Sequence, residues 1–293
     1  MSTIEPRIAE TPLGPIEYLQ RDTGDDPNRV ILAIHGAMGG YDQSDILGRT
    51  IGPAGYRYIS ISRPGYLNTP LKGREAPEDQ ADLIAALLDT LNIKRIIVFA
   101  ISGGGYSAIH FALRHSDRCN GLVLCSTTGG INDTPIPFSF TVLKFLARIP
   151  FIIKLMRRKI DRDIEGTLKK SVSFPDILSR TTGDKETMAL FKELSVGLME
   201  DMHLRLPGTV NDIKITQAHR YTLDKISVPS LIIHGSHDPQ VPFNGHGRKL
   251  AEEIPNARLY KAEKGEHVAI FTHRAEVKSV VADFLANLNC GTC

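Results

Sequence analysis

The runs RVILAI at 29–34 and RIIVFA at 95–100 each place five consecutive apolar residues, rich in Ile and Val, behind an arginine. A strand with one wet face alternates apolar and polar residues. These runs do not alternate, so they belong in a parallel sheet covered on both faces. Further strand segments follow at Ile16–Gln20, Tyr56–Ile61, Leu122–Cys125, Ser230–Ile233 and Arg258–Lys261. Helical stretches separate them. Pro77–Leu91 opens with Pro, Glu and Asp, which suit a first helical turn, and its Leu83, Ile84, Leu87, Leu88 and Leu91 form one apolar stripe. Ser102–His115 and Arg274–Leu288 read the same way. Strand–helix alternation of this kind predicts an α/β fold with a mostly parallel central sheet and flanking helices.

The alternation stops between 129 and 224. Gly129–Gly130 and Pro135/Pro137 mark the entry to this stretch, and the SVPS turn at 227–230 precedes the resumed strand. The expected organisation is a core from 1–128 and 225–293, with 129–224 as an inserted helical cap.

Composition excludes several classes. Among 293 residues, 35 Lys and Arg against 33 Asp and Glu leave a net charge of +2 and no global field to attract nucleic acid. Trp is absent and aromatics are 6%, so base-stacking platforms are not expected either. Four cysteines are too few for a disulfide scaffold. Cys119 and Cys125 bound an apolar run and read as buried thiols. Cys290 and Cys293 form CGTC, but a redox CxxC wants a helix N-terminus in a βαβ setting, and this one ends a tail. The first 15 residues lack the apolar stretch of a secretory leader, and no 18-residue apolar window is free of charge. A cytoplasmic location is expected.

Four segments carry chemistry. In RIIVFAISGGGYSAIHFAL a buried strand ends, Ser102 sits in a small-residue turn, and an amphipathic helix begins. Ala100-x-Ser102-x-Gly104 is the nucleophile-elbow pattern with Ala in the first glycine position; a strained serine on so sharp a turn needs small neighbours two residues either side. The helix start also sets the Gly103 amide beside any oxyanion that develops there. The alternative is an N-cap serine in a glycine turn. In ILAIHGAMGGYDQ a strand runs into a glycine-rich loop whose backbone N–H groups are free to point into a pocket; Ala37 is the first candidate and Met38 the second. A phosphate-binding reading of AMGG lacks both G-x-G-x-x-G and the GK[ST] ending. His35 reads as a structural hydrogen-bonding residue of this loop.

Asp238 follows a strand in PSLIIHGSHDPQVP, where an acid can orient an imidazole; the alternative is a turn aspartate near proline. His267 in EKGEHVAIFTHR lies after the next strand and before the last helix. His234, His237, His246 and His273 share this third of the chain, without HExxH or a Cys partner for a metal. The order Ser102, Asp238, His267 is one of the recurring orders of a serine triad.

With HGAMGG, SRPGYLNTP (62–70), AISGGG, HGSHDPQVP and GEH in this order and spacing, the chain resembles the α/β-hydrolase superfamily. The resemblance implies Ser102 as nucleophile, His267 as base, Asp238 as its orienting acid, and the amides of Ala37 and Gly103 as oxyanion hole. It implies a small-molecule substrate, no cofactor and no metal. Dehalogenases and epoxide hydrolases of this superfamily use an aspartate nucleophile, and Ser102 argues against both. The leading expectation is cleavage of a small or medium carboxylic ester through an acyl-enzyme. HGAMGGYDQ is also similar to the HGGPGG loop of proline iminopeptidase-like enzymes, for which Glu193, Glu200 and Asp201 could supply cap acids. Carbon–carbon bond hydrolases of aromatic degradation resemble the chain too, and a base recognising a substrate carboxylate would favour them. From another class, a non-catalytic binding protein can use the same scaffold.

Residues 138–160, FSFTVLKFLARIPFIIKLMRRKI, combine Phe, Leu and Ile with Lys144, Arg148, Lys154, Arg157, Arg158 and Lys159 and contain no acid. Three readings stand: helices broken at Pro150 with a solvated basic face, an apolar acyl pocket near cations that attract an anionic substrate, or contact with an anionic membrane surface.

Overall fold

The two unbroken apolar runs become neighbouring strands at the centre of one eight-stranded sheet. The computed structural model describes residues 4–132, 134–135 and 138–290, without the side chains of 138–140, 143, 289 and 290. Its strands are β1 (Arg7–Thr11), β2 (Gly14–Asp22), β3 (Val30–Ile34), β4 (Arg57–Ile61), β5 (Ile96–Ile101), β6 (Cys119–Cys125), β7 (Ser230–Gly235) and β8 (Ala257–Ala262), in the spatial order β1-β2-β4-β3-β5-β6-β7-β8. β1 and β2 form an antiparallel hairpin and β2 runs antiparallel to β4. Every later pairing is parallel.

Both faces of this sheet are covered, as continuous runs demand. Leu32, Ile34, Val98 and Ala100 point into one core, shared with α2 (Pro77–Thr90) and α3 (Gly105–Arg114). Ile31, Ile97 and Phe99 point into the other, shared with α1 (Tyr41–Ile51) and α12 (Arg274–Cys290). The period of two is intact, but both sides are apolar, so no polar residue marks it in the sequence. β1 was not anticipated. Only Ala9 of its five residues is buried, and an exposed edge strand carries no apolar run. The helix expected from Ser102 starts at Gly105, because Ser102–Gly104 form a tight 3-10 turn.

Between β6 and β7 lie six helices and no strand among the described residues: α4 (Phe138–Leu146), α5 (Pro150–Arg162), α6 (Ile164–Leu168), α7 (Pro175–Gly183), α8 (Lys185–Gly197) and α9 (Met202–Ala218). Pro150 opens α5 at its first turn, where its missing N–H costs nothing. Leu168, Ile177, Leu190 and Phe191 join the core of α1 and α12. Two short helices, α10 (Gly247–Glu253) and α11 (Ala269–Thr272), complete the second half.

α9 contains Pro207, which offers no N–H to the carbonyl one turn back. The loop after β4 uses the opening. Leu67 N–H donates to Leu204 O at 3.0 Å, and Gly208 N–H donates to Gly65 O at 2.8 Å. A Cβ on Gly208 would stand 2.1 Å from the Tyr66 ring, so only glycine permits this approach. One helical turn further on, Asp212 meets Arg63. Arg63 Nη1 and Nη2 donate to Asp212 Oδ1 and Oδ2 at 2.8 and 2.6 Å, and Tyr66 Oη donates to Oδ2 at 2.5 Å. The Arg63 side chain is 1% exposed and that of Asp212 6%.

Cys119 and Cys125 are buried in β6, and burial pushes the Cys119 thiol up to about 12. The remainder of CGTC, with Pro137 of the expected cap entry, lies outside the described residues. No helix among them is long and apolar enough to cross a membrane.

Removing one partner of a buried pair strands the other charge, which typically costs about 3–5 kcal/mol. Asp212→Ala is therefore expected to lower unfolding free energy by about that amount, with Arg63→Met/Asp212→Leu closer to the parent, as measured by urea denaturation.

Candidate active site

The site assembles at the C-terminal ends of β3, β5, β7 and β8. β5 ends at Ile101, and the chain turns so sharply that Ser102 adopts φ +50°. A non-glycine residue holds this left-handed conformation only where its surroundings enforce it. Here Thr127 Oγ1 donates to Ser102 O, and the small-residue requirement is met on both sides. Ala100 is fully buried, and a Cβ on Gly104 would stand 2.5 Å from His35 O and 2.8 Å from Ile34 O.

His267 Nε2 lies 3.1 Å from Ser102 Oγ, and His267 Nδ1 lies 2.8 Å from Asp238 Oδ2. With Nδ1 donating to the carboxylate, Nε2 is left to accept from the serine hydroxyl. The second carboxylate oxygen, Asp238 Oδ1, accepts the N–H groups of Gln240 and Val241, both at 2.9 Å. Burial alone would raise the pKa of Asp238. The hydrogen bond and charge of His267 outweigh it, and the acid is held below its ordinary value. The side chain of Asp238 is inaccessible while that of His267 is 17% exposed.

The loop after β3 is pinned residue by residue. Gly36 N–H donates to Gln43 Oε1 at 2.6 Å, Met38 N–H to Thr209 Oγ1 at 2.9 Å, and Gly39 N–H to Gly36 O at 3.4 Å. Among the described residues the Ala37 N–H has no acceptor. This separates the two candidates read from the sequence: the Met38 amide is engaged by α9, whereas that of Ala37 is open. A Cβ built on Gly103 would lie 3.4 Å from Ala37 N, so the two amides border one space.

His35 is structural, as expected from the sequence. Its Nδ1 donates to Gly36 O at 2.6 Å and its Nε2 accepts the Arg63 N–H at 2.9 Å. Burial, reinforced by the Arg63 charge, holds its pKa well below the usual imidazole value, so it stays neutral. His234 Nε2 donates to Val241 O at 2.8 Å and braces the acid loop from beneath. His237 is exposed against Phe174, while His273 donates to Glu263 O at 2.9 Å. Glu78, His110 and His219 are close enough to share an ion, but His110 and His219 already bond each other at 2.7 Å, and none of the three lines the cavity.

A cavity of about 1170 Å³ opens over Ser102. Core residues Ala37, Gly103 and Tyr106 form its floor, and Val142, Leu146 and Met156 contribute from α4 and α5. No Lys or Arg is among its described lining residues. Among the described lining residues the one charged group is Asp212, already neutralised by Arg63. Glu193, Glu200 and Asp201 are not brought to this cavity. Glu193 pairs with Arg49 and Glu200 with Arg157, and both border a separate cleft of about 470 Å³.

Two contributors escaped the sequence reading. Arg63 donates from Nε to His35 O at 3.1 Å and from Nη2 to Gly36 O at 3.3 Å, holding the loop that carries Ala37. Glu266, adjacent to His267, accepts Ser173 N–H at 2.7 Å and the Ser173 hydroxyl at 2.8 Å, tying the histidine loop to the helical insert. The GEH and SRPG segments contain both residues, but their partners lie far away in sequence.

Residues 29–274 match the family described as alpha/beta hydrolase fold. The chain is 28% identical over 281 residues to a 2-hydroxy-6-oxononadienedioate/2-hydroxy-6-oxononatrienedioate hydrolase of Cupriavidus pinatubonensis, covering 91% of this chain and 89% of that one. A Pseudomonas putida protein of the same name is 28% identical over 294 residues, covering 95% and 94%. Among solved structures, an alpha/beta hydrolase fold protein from Nakamurella multipartita superposes with a TM-score of 0.81 at 25% identity, covering 96% and 99%. A meta-cleavage product hydrolase from Pseudomonas fluorescens shares the fold, with a TM-score of 0.67 at 20% identity and coverage of 97% and 98%. The sheet order, the position of Ser102 after β5 and the match across most of the chain agree: this chain belongs to the α/β-hydrolase family and is a hydrolase.

Proposed function

We propose that the protein is a serine hydrolase that cleaves uncharged, predominantly apolar carboxylic esters through an acyl-enzyme. The observation that carries this reading is a Ser102–His267–Asp238 hydrogen-bond chain opening into a large cavity with no cation among its described lining residues. A serine hydroxyl is a poor nucleophile until a base takes its proton. His267 takes the proton from Ser102 as its oxygen attacks the ester carbonyl. Asp238 holds the imidazole in the tautomer with Nδ1 protonated and stabilises the cation that forms. The amides of Ala37 and Gly103 receive the oxyanion. His267 then protonates the departing alkoxide, and water, activated by the same imidazole, releases the acid. In this reading residues 129–224 act as a cap that sets the acyl group accepted.

Carbon–carbon hydrolysis is the second reading. The named relatives over nine-tenths of the chain favour it, and its attack on a carbonyl needs the same groups. A dienedioate brings two carboxylates, however. Each calls for a cation or several donors in the pocket, whereas among the described lining residues the one charge is the Asp212 carboxylate and the donors are neutral groups such as Tyr106, Asn132 and Gln240.

Fluorophosphonate labelling read by intact mass is expected to modify the parent at one site and to leave Ser102→Ala untouched. Turnover of a p-nitrophenyl ester series should then peak at an intermediate or long acyl chain. Labelling with faster turnover of a dicarboxylate vinylogous diketone than of any ester would move the carbon–carbon reading to the front. Absence of labelling in the folded parent would favour a binding protein on this scaffold.

Asp238→Asn preserves shape but favours the wrong imidazole tautomer. It is expected to lower kcat for the best ester about 10⁴-fold, the loss seen when a triad aspartate is so replaced, with little change in KM in steady-state kinetics.

A further inference from the structure

α4 and α5 turn large apolar side chains outward. Phe145 is 68% exposed, Phe151 75%, Leu155 58% and Ile149 45%. Single exposed apolar residues are ordinary, but four large ones exposed within residues 145–155, on two helices and the turn between them, mark a contact surface. The group is held by ordered backbone. Arg148 N–H donates to Phe145 O at 3.2 Å and Ile149 N–H to Leu146 O at 2.9 Å, closing the turn between the helices. Phe151 and Leu155 stand one helical turn apart on α5. The opposite side of the pair is already used, since Ala147 and Ile153 pack with Met202 and Met156. The outward group is therefore a second apolar face rather than a misplaced core.

Its surroundings are basic. Residues 138–160 contain six Lys and Arg and no acid. Arg148, Lys154, Arg158 and Lys159 are exposed and carry no ion pair among the described residues, while Arg157 is paired with Glu200.

We propose that this outer face of α4 and α5 docks on an anionic lipid bilayer. Phe145, Ile149, Phe151 and Leu155 enter the boundary between headgroups and acyl chains. Arg148, Lys154, Arg158 and Lys159 reach the lipid phosphates on flexible apolar stems. Charge selects this occupant over a second copy of the chain. A two-fold contact places the same patch on both sides and would set these cations against their own images, whereas an anionic bilayer supplies apolar depth and negative charge together. The inner side of the same two helices contributes Val142, Leu146 and Met156 to the cavity over Ser102. Docking would thus bring the cavity mouth to the membrane, so that an apolar substrate dissolved there enters without crossing water. The docking itself is independent of the chemistry at Ser102.

The test is co-sedimentation of the full-length Ser102→Ala protein with phosphatidylglycerol-containing vesicles and with pure phosphatidylcholine vesicles. Partition into the anionic vesicles is expected to be at least about tenfold stronger and to fall with added salt. Phe151→Ser/Leu155→Ser should weaken it about tenfold or more, and Lys154→Ser/Arg158→Ser by a similar factor, with thermal midpoints unchanged. Failure to sediment with either vesicle overturns the proposal. Anionic binding that survives loss of Phe151 and Leu155 also overturns it, because it would be adsorption by charge alone. So does a lipid-free dimer in sedimentation velocity that the Phe151/Leu155 variant abolishes, since a second copy would then cover the face. Because the nucleophile is absent throughout, none of these outcomes depends on the hydrolase reading.

Discussion

The ion pair between Arg63 and Asp212 is the constraint around which the upper half of the molecule is arranged. Taking two charges out of water costs several kcal/mol per ion unless geometry and further hydrogen bonds repay it. Here both carboxylate oxygens are engaged by the guanidinium, the Tyr66 hydroxyl adds a third donor, and Nε and Nη2 of the guanidinium also reach the carbonyls of His35 and Gly36. Three separate pieces of chain thereby share one rigid polar cluster: the loop after β3, the loop after β4, and α9 of the insert. Ala37 inherits its position from that cluster, flanked by Gly36 on Gln43 and Met38 on Thr209.

Electrostatics around Ser102 follow from the same pair. A lone carboxylate as close to Gly103 as Asp212 would oppose charge developing on a substrate oxygen. Paired with Arg63 it presents little net charge, so that in the proposed mechanism the amide dipoles of Ala37 and Gly103 set the local field. On the other side of the serine, Asp238 is ionised and enclosed, so its charge acts on His267 with little screening by water. The proposed mechanism thus rests on one neutralised acid and one isolated acid, separated by the serine turn.

Much of this was legible in the sequence. Ser102 and Asp238 each follow a buried apolar strand, whereas His267 follows the mixed, largely exposed β8 and is marked by its place before the last helix; the small residues about Ser102 reflect an obstacle, the carbonyls of Ile34 and His35, that any larger side chain would strike. Ala37 was readable from the glycine-rich loop as the first candidate ahead of Met38, but the physical reason was not, because the Met38 amide is taken by Thr209, 171 residues away. Arg63 was visible within SRPGYLNTP, yet nothing local announces a partner 149 residues away. Pro207–Gly208 offered a local signal of close packing in α9, although it named no neighbour. The cap acids misled because charge type can be read along a chain while direction cannot: Glu193 and Glu200 face Arg49 and Arg157 rather than the cavity. β1 was missed because an edge strand lacks an apolar run.

The proline break in α9 bears on how this architecture can be diversified. Helical inserts of α/β hydrolases look exchangeable, because they enter and leave between two strands. In this chain the insert is stitched to the core at its far end as well, through Leu204 with Leu67, Gly208 with Gly65, and Asp212 with Arg63. A transplanted insert without that Pro-Gly step and aspartate would leave a fully buried guanidinium unpaired in the recipient. α9 and the loop 63–67 therefore form one inheritable unit despite their distance in sequence, and the natural seam for recombination lies before α9 rather than after it.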